Sequence, residues 1–238
     1  MAWADLMEAA RRGEGRLSMI RRVWQRALEF RMPVFRPAAA LLWAERDLRH
    51  RIWPLLAKIL YREPLLRYRA EAVGRRLNLE GALPLIIGNG RIRIGDDVAI
   101  GTQNTWIVGF KVSTDAQLII GHRVYVGYQT SLSVAMRVEI GDDTMLASHV
   151  QIYDNISHPI SPSRRLRHES FTLDEASAVI VGRNCWIGTG ALIMRGVTIG
   201  DNSVVAAATV VTSDVPPDSL VAGNPARIIR SIADDSSE

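Results

Sequence analysis

Residues 181–211 read VGRNCWIGTGALIMRGVTIGDNSVVAAATVV, and an aliphatic residue returns there at every sixth position: Val181, Ile187, Ile193, Ile199, Val205 and Val211. Gly follows three of the first four, at Gly182, Gly188 and Gly200. A helix face repeats every three to four residues and a half-buried strand every two, so a period of six fits neither. It fits a triangular solenoid in which each hexapeptide supplies one short strand and one corner. The aliphatic residue points into the prism, and Gly permits a tight corner that a Cβ would obstruct.

The same register extends upstream through Ile94-Gly95, Ile100-Gly101, Trp106, Ile120-Gly121, Val126-Gly127, Leu132, Ile140-Gly141, Leu146 and Ile152, making fifteen slots. It slips by two between 100 and 120 and again between 132 and 140, each time after a third slot. The unit is therefore a triple of 18 residues, giving five coils, with residues 82–93 adding part of another. Small or branched residues four places after the slots (Val98, Val124, Thr130, Thr144, Val150, Cys185, Ala191, Val197, Ser203 and Thr209) fill the remaining interior. This is the hexapeptide pattern of a parallel β-helix.

The whole chain has 238 residues, 47% hydrophobic and 23% charged, an ordinary mix for a folded protein. It contains no apolar run of membrane-spanning length and no secretory h-region, and its single cysteine, Cys185, excludes an internal disulfide. These features read as cytoplasmic. Residues 1–79 carry 17 of the 29 Lys+Arg but 8 of the 25 Asp+Glu, a net +9 against −5 for the remainder. The two parts thus have different surroundings.

Ile187-Gly188-Thr189-Gly190-Ala191, Gly196-Val197-Thr198-Ile199-Gly200-Asp201-Asn202 and Val221-Ala222-Gly223-Asn224-Pro225-Ala226-Arg227 resemble the C-terminal half of hexapeptide-repeat acyltransferases. That family includes maltose, galactoside and xenobiotic O-acetyltransferases and acetyltransferases of bacterial polysaccharide synthesis. The resemblance covers about residues 85–231. It implies that the all-β parallel β-helix is left-handed and assembled as a homotrimer with active sites between neighbouring subunits; the α-helical N-terminal extension lies outside the resemblance. Acetyl-CoA is the implied donor, and a saccharide hydroxyl of a surface polysaccharide or its precursor the implied acceptor.

The repeat breaks for 29 residues between Ile152 and Val181, and such insertions commonly carry a solenoid's working surface. It begins Tyr153-Asp154-Asn155-Ile156-Ser157-His158-Pro159. The family places its catalytic His just before a Pro here, which maps onto His158. Acyl transfer from a thioester to an alcohol needs a base that takes the hydroxyl proton and returns it to the leaving thiolate, work suited to imidazole. Asp154 stands four residues earlier as an orienter, a role a backbone carbonyl fills equally well. Asn104 falls where relatives keep a polar residue near the acceptor, and Trp186 where they flank the cleft. Thr189, Ala207, Thr212, Arg227 and Arg230 match positions that contact coenzyme A, the two arginines being suited to its phosphates. This chain departs from the family at Ser213, often Lys, and at Ala206-Ala207-Ala208, usually Gly-Ala-Gly. Arg164, Arg165, Arg167 and His168 in the insertion either meet an anionic or nucleotide-linked acceptor or form a solvated loop.

Other readings stay open. Cys185 takes a slot for interior filler, not for a nucleophile. His122, His149 and His158 define a three-His metal alternative whose spacing does not match the carbonic anhydrases built on this coil, so no metal is expected. An amino acceptor, another acyl donor including one on a carrier protein, a metal-dependent hydratase and a non-catalytic scaffold are the functional rivals.

Residues 1–79 read as two to four short helices, with Leu41, Leu48, Ile52, Leu55 and Ile59 on one stripe and Leu66, Ala70, Val73 and Leu77 on another. Pro37 and Pro64 suit helix starts, while Pro33 and Pro54 break or bend. Trp3, Trp24, Trp43 and Trp53 interleave with Arg here. The extension either caps the first coil or lies on an anionic membrane surface, at the inner face of the membrane. No nucleic-acid motif accompanies the charge. The expected organisation is helical 1–79, β-helix 80–231 with a loop at about 157–179, and a disordered tail 232–238.

Overall fold

The computed structural model describes residues 34–233 together with Trp24, Leu28 and Glu29. Trp3, Pro33 and the tail beyond Ala233 lie outside the described residues. The chain divides into two compact units, residues 1–52 and 53–238.

From Ala72 onward, successive short strands pass in turn to the three faces of a left-handed parallel β-helix. Face 1 stacks six strands from Ala72–Val73 to Thr198–Ile199, and face 3 stacks six from Leu85–Ile87 to Val210–Val211. Face 2 runs from Asn78–Leu79 to Val204–Val205, then adds Ser219–Ala222 and the antiparallel strand Arg227–Ser231. All fifteen slot residues are buried, as are the ten small or branched residues four places on. Each aliphatic side chain so buried contributes about 1.5–3 kcal/mol, and the column they form is one continuous core.

The corner glycines work by close stacking. A Cβ on Gly95 would lie 2.6 Å from the carbonyl carbon of Gly121 in the next coil. Left-handed backbone falls instead three residues after the slot, on Asp97, Gln103, Arg123, Gln129, Asp143, His149, Asn184, Asn202 and Ala208, with φ between 53° and 62°. Asn and Asp tolerate that region better than other non-glycine residues, which accounts for four of these nine positions.

The register differs from the repeat arithmetic in two ways. Strand pairing sets Ile94 against Ile120 and Trp106 against Leu132, so eight residues are inserted after Trp106; the register does not slip by two across three slots. There are also six full coils: the part of a further coil read at residues 82–93 is complete and begins earlier, because Ala72–Val73, Asn78–Leu79 and Leu85–Ile87 form a first coil with irregular spacing. The intervals that exceed six (14 residues after Trp106, 8 after Leu132, 29 after Ile152) all fall at the corner between faces 3 and 1. One edge of the prism therefore carries every major interruption.

Helix α1, Arg36–Ala57, continues through a π turn at Lys58–Arg62 into α2, Glu63–Arg69, with Pro64 in the first turn of α2. Pro54 lies inside α1 and does not end it; the hydrogen-bond ladder shifts to the π form just beyond this residue, which lacks an N–H. The helix stops at Arg69, so Val73 and Leu77, which share a helical spacing with Leu66 and Ala70, belong to the first coil. Leu66 is buried in the core cluster, Arg69 donates to the carbonyls of Gly88 (2.6 Å) and Gly90 (3.1 Å), and Arg67 to those of Val73 (2.7 Å) and Gly74 (2.9 Å). These contacts cap the first coil. No residue of α1 is buried.

Candidate functional site

The strand Gln151–Tyr153 leaves face 3 and leads into the long insertion through Asp154 and Asn155, both buried. Asp154 Oδ1 accepts the N–H of Ala135 (2.7 Å) and Asn155 Nδ2 (2.9 Å), while Oδ2 accepts the N–H groups of Met136 (2.7 Å) and Arg137 (2.8 Å). Burial pushes this carboxyl above the usual carboxylate range, and the four donors pull the other way. Asn155 Nδ2 also reaches Ser133 O (3.2 Å) and Oγ (3.0 Å), and its Oδ1 accepts the N–H of Ser157 at 2.9 Å. Ser157 is held at φ 59°, a strained setting for a non-glycine residue of the kind that gathers at functional sites.

His158 follows, exposed, with its N–H 2.6 Å from Ile156 O. Its imidazole has no hydrogen-bond partner among the described residues. The expected orienter, Asp154, does not reach it, because the carboxylate is sealed under the corner and saturated by donors from 135–137 and Asn155.

A second element lies on face 2. Trp186, Thr189 and Ala207, assigned separately from the sequence, line one groove of about 340 Å³ with Ala147, Val204 and Leu220. Trp186 is half exposed, and the groove floor is the stacked backbone of Gly188 and Ala206-Ala207. The sequence reading missed Ala147, Val204 and Leu220. Val204 and Leu220 are legible in hindsight, since the residue before each slot on face 2 points outward, and Ala99, Tyr125, Met145, Trp186, Val204 and Leu220 form one in-register apolar column; Ala147 follows its slot, Leu146, and carries no such signal.

Arg227 and Arg230 lie on the last strand, exposed. Three residues apart on a regular strand they would face opposite ways. Here Arg227 pairs with Ala222 and Arg230 with Leu220, the register shifting between Leu220 and Val221, so both arginines share the side on which Leu220 lines the groove. Arg227 also borders a second cavity of about 300 Å³ with Ser213, Asp214 and Ile228, and Thr212 is exposed immediately before it.

Asn104 is corrected by the structure. It is buried inside the corner, where Nδ2 donates to Gly101 O (2.7 Å) and Oδ1 accepts the N–H of Thr130 (2.9 Å), so it fills the prism and cannot meet an acceptor. It occupies the place four residues after Ile100 that small residues fill in other coils. Cys185 is buried in the same kind of place, and burial pushes its thiol up to about 11. His122, His149 and His158 sit on three different corners and form no common site. Among the described residues no group of three or more His, Cys, Asp or Glu is arranged to hold a metal ion. The insertion's arginines are engaged within it: Arg164 with Glu169 and Glu175, Arg167 with Glu169, and Arg165 with the carbonyls of Pro159 and Ile160.

Residues 178–213 match the model of a family described as hexapeptide repeat of succinyl-transferase. The galactoside O-acetyltransferase of Escherichia coli (strain K12) is 35% identical over 135 residues, 56% of this chain and 63% of that enzyme, so the match spans less than two thirds of the relative. A crystal structure of a maltose O-acetyltransferase from Clostridium difficile 630 is 30% identical over 82% of this chain and 89% of that one, with a TM-score of 0.51. A hexapeptide-repeat-containing acetyltransferase from Vibrio cholerae is 27% identical over 80% and 92%, also with a TM-score of 0.51. The chain belongs to the hexapeptide-repeat acyltransferase family.

Proposed function

We propose that the protein transfers an acetyl group from acetyl-CoA to a saccharide hydroxyl. One observation carries this reading: three residues matched one by one to coenzyme A or cleft positions converge on a single groove, and a strand bulge turns two arginines to the same side of it. A groove of small residues and exposed backbone suits a pantetheine arm, and Arg227 and Arg230 suit the phosphates of its head. His158 takes the proton of the acceptor hydroxyl as that oxygen attacks the thioester carbonyl. The C–S bond then breaks and the thiolate receives the proton. Backbone N–H groups of a neighbouring coil steady the oxyanion.

His158 and the groove lie on different corners of the same prism. A site with both is completed by a neighbouring subunit, which supports the homotrimer, and the apolar column on face 2 is a surface suited to such packing. The donor sets the reaction on the cytoplasmic side. Leu41, Leu48, Ile52 and Leu55 of α1 and Ile59 of the π turn are all exposed, with Arg51 and Lys58 among them, which supports peripheral contact with an anionic membrane, read out by sedimentation with anionic but not neutral vesicles.

The test is calorimetric titration with acetyl-CoA, followed by turnover in His158→Ala. Binding near one site per chain, at least tenfold weaker in the Arg227→Ala/Arg230→Ala variant (about 1.4 kcal/mol), with transfer lost but binding kept in His158→Ala, is expected. Absence of binding at millimolar acetyl-CoA refutes the donor, and wild-type turnover in His158→Ala refutes the base.

A further inference from the structure

Two of the insertions that leave the corner between faces 3 and 1 bring one phenylalanine each to the same place. Phe110 comes from the eight-residue insertion after Trp106, and Phe171 from the long insertion that carries His158. The repeat requires neither loop. Between them is a cavity of about 130 Å³, walled by both rings with Ile107 and Val134. Its polar lining comes from Ser133, Asn155 and Ser157, the last being the residue immediately before His158. Asn155 Nδ2 donates to Ser133 Oγ at 3.0 Å, which leaves the serine's own proton available to a ligand. The Lys111 ammonium stands 5.0 Å from the Phe110 ring centroid and restrains that ring.

A cavity of this size takes a benzene-sized group, since an apolar hole of about 150 Å³ binds benzene itself. It holds one edge of a sugar ring, not a disaccharide. Aromatic walls with a small polar floor suit a pyranose whose buried edge carries C–H or methyl groups and whose exposed edge carries hydroxyls. A hydroxymethyl group there would find one available donor, Ser133 Oγ, and otherwise Ile107, Val134 and two phenyl rings against its hydroxyl, a poorer exchange for water than a methyl group makes. Resting on the acetyl-transfer reading above, we infer that the Phe110–Phe171 cavity is the acceptor subsite and selects a 6-deoxy sugar, taking its C6 methyl between the two rings while an adjacent hydroxyl is presented to His158.

The test uses matched methyl glycosides differing only at the C6 oxygen: β-D-fucoside against β-D-galactoside, and β-D-quinovoside against β-D-glucoside. Coenzyme A release from acetyl-CoA by the full chain is measured for each. The deoxy member of at least one pair is expected to have a kcat/KM about tenfold higher, the scale on which an apolar pocket discriminates. Phe171→Ala and Phe110→Ala each bring that ratio towards one by raising KM, while coenzyme A affinity by calorimetry stays within about twofold. Both rings are at least partly exposed, so these variants keep the core intact. A ratio at or below one for both pairs, or a ratio that neither variant moves, overturns the subsite. If none of the four is acetylated, saturation-transfer NMR on the same glycosides decides: transfer to the C6 methyl that is lost in Phe171→Ala supports the subsite, and no transfer overturns it. Coenzyme A calorimetry on the same sample separates the two readings. Binding retained with no deoxy preference overturns the subsite alone, whereas absent binding overturns the donor.

Discussion

Asp154→Asn and Asp154→Ala test whether this carboxylate is a clamp on the corner or a partner of His158. Its two oxygens accept four N–H donors, three of them backbone groups of Ala135, Met136 and Arg137. Asparagine keeps one oxygen and turns an NH₂ towards the other two donors. An orphaned buried donor costs about 1–3 kcal/mol, and less where water reaches it. Met136 and Arg137 are exposed residues, so the NH₂ settles on their side and the cost is about 2 kcal/mol. Alanine abandons all four, including the buried Ala135 N–H, at about 3–5 kcal/mol. Urea unfolding at fixed protein concentration, with m unchanged, reads these differences. In Asp154→Asn the pH dependence of transfer stays that of the wild type. An alanine variant within about 1 kcal/mol of wild type refutes the clamp. A fully stable asparagine variant with a displaced pH profile makes Asp154 the orienter instead.

Two further outcomes follow from the same geometry. Cys185, buried and with its thiol raised to about 11, stays unreacted with a thiol reagent at pH 8 in the native protein and reacts completely once urea unfolds it; rapid native labelling would contradict the packing. Gly188→Ala places a Cβ 2.6 Å from Ala207 N, forcing the coils apart under the groove at about 1–3 kcal/mol and weakening acetyl-CoA, whereas Gly190→Ala meets no atom within 4 Å and incurs only the cost of φ +70°, about 1–2 kcal/mol; equal acetyl-CoA affinity in both variants contradicts the assigned groove.

The scaffold was readable because a six-residue period acts through one physical requirement repeated coil after coil: an aliphatic residue inside and a corner that passes close to the next. That requirement is local, so every slot from Ile94 to Val211 could be assigned without knowing the rest. What the period could not show is what a side chain does once the backbone has placed it. Asn104 has the polarity of a ligand contact, yet it stands four residues after a slot, and that position points inward whatever residue fills it. Asp154 has the spacing of a histidine partner, yet the strand carrying it ends inside the corner, among backbone donors that no sequence pattern displays. Arg227 and Arg230 are the reverse case: their spacing on a strand argues against a shared role, and only a bulge, invisible in the sequence, turns both to one side. The first coil escaped for a related reason, since its spacing is irregular where α2 docks on it, and Leu77 satisfies a helical period as well as a prism interior. The long insertion was located by the failure of the period, but its partner after Trp106 was concealed by being counted as a slip. Both leave from the same edge, because an insertion there disturbs neither the slot column nor the stacking of the other two corners. That edge is where the fold has room for chemistry specific to this chain, and Phe110, Phe171, Ser157 and His158 all stand on it.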